Sequence, residues 1–150
     1  MYANDTPEQV YCSLSAYAEN GRFDKVWDRL DPRFKLHFYA QILQLHALSS
    51  NKEIEDESIP IDALKECFVK AANSVTMMST INHHAKSSRH IKSCKVDGYF
   101  ATLIIVESKQ GLESETTVQM VDFEKRGFWM LDLGDKKSVK DVLELIMGTF

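Results

Sequence analysis

The chain has no run of eighteen apolar residues, so no segment is expected to span a membrane. Its opening, MYANDTPEQ, has neither a positive leader nor an apolar stretch, and no signal peptide is expected there. Three cysteines (Cys12, Cys67 and Cys94) are an odd number without CxxC spacing. They read as reduced thiols, which places the protein in the cytoplasm. There is no excess of positive charge. The net charge is −4, and the only local basic cluster is Lys86, Arg89, Lys92 and Lys95. Phosphate binding needs a basic face, so nucleic acid is not an expected partner, and lysines at this spacing suit a protected edge strand.

Catalytic signatures are scarce as well. The sequence holds no GxSxG and no phosphate-binding glycine loop. His83 and His84 are adjacent and would point to opposite faces of a strand. No histidine pair has HxH or HxxxH spacing on a clear helix, and no metal and no cofactor are implied. Cys94 with His90 would place a thiol and an imidazole on one strand facing the same way, but without a third group to orient the base. No internal repeat appears.

What is there centres on residues 87–133, which read as four antiparallel strands. Asp97-Gly98 lies between two strand-like runs and predicts a two-residue hairpin in which Val96 pairs with Tyr99. Val96, Cys94, Tyr99, Ala101, Leu103 and Ile105 then share one face. Ser93, Lys95, Ile91, Phe100, Thr102, Ile104 and Val106 share the other. Glu124-Lys125-Arg126-Gly127 suits a three-residue loop with Gly127 at its left-handed position, so that Phe123 faces Trp129 and Val121 faces Leu131. That register makes Val121, Phe123, Trp129, Leu131 and Leu133 a core face. The connection from Ser108 to Ser114 is polar and reads as an exposed tip.

Helices flank this meander. Thr6-Pro7-Glu8-Gln9 carries a cap, a first-turn proline and a capping-box glutamine, and predicts a helix with Val10, Leu14 and Tyr17 along one stripe. Phe23, Val26, Trp27 and Leu30 form a short second helix. Asp31-Pro32 starts a third through about Leu48, with apolar positions on more than one face, so this helix is expected to be buried on two sides. Residues 49–58 are polar and read as a surface loop. A helix from Pro60 or Asp62 carries Leu64, Cys67, Phe68 and Ala71. Residues 73–86 fit a strand or a loop. Ser138 and Asp141 then cap a last helix that ends at Gly148.

Helices first and a meander second give an α+β class, expected as a single domain over residues 1–150. With 44% hydrophobic and 27% charged residues, the composition is that of an ordinary globular chain. Two segments carry a resemblance. Residues 21–32, GRFDKVWDRLDP, and 124–131, EKRGFWML, resemble the recurring acidic-helix and closing-hairpin segments of the nuclear-transport-factor-two-like, or cystatin-like α+β, superfamily. That likeness implies a sheet curled into a cone around the helices, with a cavity at one end. The helix after the last strand departs from the pattern and would cap an edge or the mouth of the cavity.

The resemblance implies a non-catalytic binding module whose cone holds a small apolar ligand or supports a protein partner. Tyr17, Trp27, Phe38, Tyr99, Phe123 and Trp129 would line it. The alternative is a cofactor-free isomerase, dehydratase or cyclase of the ketosteroid-isomerase type, which needs a carboxylate base and an oxyanion donor. Tyr17, Tyr99, Asp97 and Asp122 have that chemistry, but Asp97 is spent on a turn and Asp122 points away from the expected core. The uncovered sheet face would carry Phe100, Ile104, Val106, Val118, Met120, Phe128 and Met130. A patch of that kind predicts a homodimer centred on Ile104 and Met120.

Overall fold

The computed structural model describes residues 5–50, 61–82, 88–109, 111–123, 127–134 and 138–148. Its elements run α1 (Pro7–Glu19), α2 (Phe23–Trp27), α3 (Pro32–Ser50), α4 (Ile61–Asn82), β1 (Ser88–Asp97), β2 (Phe100–Lys109), β3 (Leu112–Val121), β4 (Met130–Asp132) and α5 (Val139–Met147).

The helix starts are set by local chemistry. Thr6 Oγ1 accepts from Gln9 N at 3.2 Å while Gln9 Oε1 accepts from Thr6 N at 2.9 Å, a complete capping box ahead of α1. Asp31 Oδ1 accepts from Arg33 N at 2.9 Å at the head of α3. Ser138 Oγ accepts from Asp141 N at 3.1 Å at the head of α5. Helix α4 continues to Asn82, where the sequence suggests strand or loop. Within it the Thr76 hydroxyl donates back to Ala72 O at 3.0 Å, so this polar group is satisfied inside the helix. Helix α3 is not buried on two sides as expected, since Leu36 and Leu45 are exposed. Of the expected loop at 49–58, residues 49 and 50 belong to α3 and 51–58 lie outside the described residues.

The four strands form one antiparallel sheet in the order β1-β2-β3-β4. The first hairpin slips two residues from the expected register. Asp97 pairs with Phe100, and Gly98-Tyr99 makes the turn. Gly98 has φ +64 at the first central position, where both primed turns require a positive φ. An even slip preserves the faces, so Ala101, Leu103 and Ile105 are buried as expected. A bulge at Lys92, between Ile91 and Ser93, then changes the phase of β1 and sets Ile91 opposite Ile105, on the core side. The expected polar tip at 108–114 is exposed over 111–114, but it is strand up to a turn at Gly111, with Lys109 paired to Leu112.

The phase of β3 is the larger correction. Leu103 pairs with Val118, Ala101 with Met120 and Met120 with Leu131, so Val118 and Met120 face inward and are fully buried. Phe123, expected in the core, lies beyond the end of β3 and is 50% exposed. Val121 pairs with Met130 rather than Leu131, and the connection between them is longer than three residues. Asp122 closes part of it by accepting from Gly127 N at 2.8 Å, and is itself buried.

The cone and the family resemblance that implied it do not hold. The sheet is flat and open, with β1 and β4 unpaired to each other as its two edges. Strands β2 and β3 keep an unbroken register over ten residue pairs, without the aligned bulges that bend a sheet around its helices. The resemblance to the nuclear-transport-factor-two-like superfamily is therefore overturned. With it go the cone-held apolar ligand, the cone-supported partner and the cone-based isomerase, dehydratase or cyclase.

The homodimer expected from the sheet face loses its basis as well. Met120 and Val118 are inside, and Thr117 and Gln119 take their places on the outer face. There Thr102 Oγ1 donates to Gln119 Oε1 at 3.0 Å, a polar pair where an apolar patch was expected. Helix α5 caps no cone mouth, and its end is bonded to the edge strand β1 through Arg89, which donates to Leu145 O. It packs on α1 and α4.

One hydrophobic cluster runs from Val10 and Leu14 of α1 through Phe23, Val26 and Trp27 to the inner sheet face, and on to Val142, Leu143 and Ile146 of α5. Helix α4 enters it through Leu64, Phe68 and Ala72, one residue per turn on a single stripe. No helix among the described residues is long and apolar enough to cross a membrane.

Candidate functional site

The six residues expected to line a ligand cavity are scattered. Trp27 and Phe38 are buried in an aromatic cluster with Phe34 and Phe68. The ring centroids lie 5.7 Å apart for Trp27 and Phe38, and 5.2 Å for Trp27 and Phe68. Rings at these spacings fill space rather than enclose it. Trp129 is buried beside β4, and its carbonyl accepts from Arg29 Nη1 at 3.0 Å. Tyr17, Tyr99 and Phe123 are 40%, 47% and 50% exposed. Tyr17 lines a small cleft of about 160 Å³ between α1 and α2, with Asp5, Lys25, Asp28 and Arg29 among its neighbours.

The nucleophile and metal readings fare no better. Half-buried Cys94 faces α1, where burial, and then Glu8 accepting from the thiol, push its pKa up to about 11. That holds it as an unreactive thiol at neutral pH. The bulge at Lys92 also separates it from His90, which pairs with Val106 while Cys94 pairs with Leu103. No group of three or more His, Cys, Asp or Glu that could hold a metal occurs among the described residues. His83 and His84 lie outside them.

A larger cleft, of about 330 Å³, opens between α1, β1 and the end of α5. Its walls are Tyr11, Ser15 and Ala16 of α1, Arg89, His90 and Ile91 of β1, and Ile146 and Met147 of α5, with Cys12 and Glu19 also lining it. The last carbonyls of a helix have no partner within it. Here side chains from two other elements supply them. Tyr11 Oη donates to Leu145 O at 2.7 Å, Arg89 Nη2 to the same oxygen at 2.9 Å, and Ser15 Oγ to Ile146 O at 2.8 Å. A cation at a helix C-terminus also meets the negative end of the helix dipole.

The Arg89 guanidinium is further tied to buried Glu107 on β2, Nε to Oε2 at 3.5 Å, and lies 5.8 Å from the Tyr11 ring. Burial raises the Tyr11 phenol above its ordinary pKa, an effect that Arg89 partly offsets. Gly148 ends α5 at φ +100, and a Cβ there would sit 3.0 Å from Glu107 Oε2. Tyr11, Ser15, Arg89 and Glu107 therefore form a connected frame at the end of α5.

No family model, no curated protein and no solved structure matches the chain. The cleft thus stands on its own geometry. Three of its lining side chains, Cys12, Glu19 and His90, are exposed and enter none of the described side-chain hydrogen bonds. Sequence reading missed this site because its members come from α1, β1, β2 and α5. The one local signal was Arg89 and His90 on an edge strand, beside an α1 face that carries Tyr11 and Ser15.

Proposed function

We propose that the 150 residues act as one module that binds a small molecule with a hydrogen-bonding head and a short apolar body in the cleft between α1, β1 and α5. The observation that carries this reading is the frame at the end of α5. Three donors, from Tyr11, Arg89 and Ser15 to the carbonyls of Leu145 and Ile146, fix the walls of a cleft whose volume is at the lower end of those that hold small ligands. Ile91 and Met147 offer apolar contact, and Cys12, Glu19 and His90 offer polar groups not used in the frame. A single module is supported by the one hydrophobic cluster that takes residues from α1 through α5. The three free thiols support the cytoplasmic placement expected from the sequence.

The test is a fragment screen read by amide chemical shifts on the intact chain. Binding in the cleft moves Cys12, Ser15, His90 and Met147 together, and Ala16→Trp, at an exposed lining position, abolishes those shifts. Shifts spread over the surface, or unchanged in the Ala16→Trp variant, would overturn the reading.

A further inference from the structure

We draw no further inference here: the strongest candidate, the exposed apolar and aromatic end of the sheet formed by Val96, Tyr99, Phe100 and Phe123, carries nothing because nothing in the structure shows what covers it.

Discussion

Leu131 is hydrogen-bonded on both sides of its residue to the turn that begins at Arg29. Leu131 N donates to Arg29 O at 2.8 Å, and Asp31 N donates to Leu131 O at 3.0 Å. Leu30 and Leu131 thereby form an isolated parallel bridge, and the short edge strand β4 is covered by the turn between α2 and α3. Arg29 strengthens the junction with its side chain, which reaches Trp129 O and lies 4.0 Å from the Phe128 ring centroid.

Replacing Arg29 with Met leaves the backbone bonds in place but removes the donor to the Trp129 carbonyl. We expect a loss of ~1–3 kcal/mol, the cost of a buried acceptor left unpaired. Urea denaturation measures it. An unchanged midpoint would mean that the carbonyl finds water and that the side chain is dispensable.

Phe123 and Trp129 are expected from the sequence to face each other in the core, and the structure buries only Trp129. Trp129→Ala should cost ~3–5 kcal/mol, as large aromatic truncations in packed cores do. Phe123→Ala should cost only about 1 kcal/mol, because half of that residue is already in water. Equal losses in the two variants would restore the three-residue hairpin and contradict the observed register.

How much could be read in advance divides along physical lines. Caps at Thr6, Asp31 and Ser138 are legible because donor and acceptor lie within three residues of each other. The inward face of β2 was legible because a two-residue slip leaves Ala101, Leu103 and Ile105 on the same side. The phase of β3 was not, since it depends on a turn at Gly111 inside a polar stretch that also reads as a loop. Curvature was illegible for a different reason. It depends on whether bulges in neighbouring strands line up, and a single strand does not show that. The resemblance rested on residues 21–32 and 124–131, and parts of those segments do touch, at Leu30 and Leu131. Their contact covers the edge strand of a flat sheet and closes no cone. The cleft was illegible because the bonds that frame it, such as those from Tyr11 to Leu145 and from Arg89 to Leu145, join positions far apart in the chain.

His37 on half-buried ground in α3 has a buried Nε2 with no hydrogen-bond partner among the described residues. A buried unpaired polar atom costs ~1–3 kcal/mol. His37→Leu should therefore raise the denaturant midpoint or leave it unchanged. A lowered midpoint would show that the imidazole makes a bond essential to α3.

Thiol chemistry should discriminate between the cysteines. Cys12 is exposed, whereas Cys94 is kept protonated by burial and by Glu8, with a pKa of about 11. Iodoacetamide at pH 8 should label Cys12 first and leave Cys94 largely unmodified. The raised pKa also has a sign for stability. Between pH 9 and about 11 the unfolded thiol has lost its proton while the folded one keeps it, so stability falls as pH rises through that window. Cys94→Ala should flatten this alkaline decline. Labelling of Cys94 as fast as Cys12 at pH 8 would refute the burial argument.

The pair formed by Arg89 and Glu107 offers the most demanding test, because it joins the sheet to the end of α5. Their side chains are 13% and 6% exposed, so removing either partner strands a charge away from water. Arg89→Met and Glu107→Gln should each cost ~3–5 kcal/mol on that ground. The effects need not add. Once Glu107 is neutral, Arg89 has lost its counter-charge and keeps its hydrogen bond to Leu145 O and its place against the Tyr11 ring, so removing it costs less. The double variant should therefore be more stable than the sum of the single losses implies. Gly148→Ala should act on the same spot by a different route. Its φ of +100 is strained for alanine, and the new Cβ would crowd Glu107 Oε2 at 3.0 Å and Arg89 Cδ at 3.2 Å. Hydrogen exchange localises the effect. Arg89→Met and Gly148→Ala should speed exchange in the last turn of α5 while leaving α2 at its wild-type rate. Additive losses in the double variant, with unchanged exchange at the end of α5, would show that the pair does not hold this helix in place.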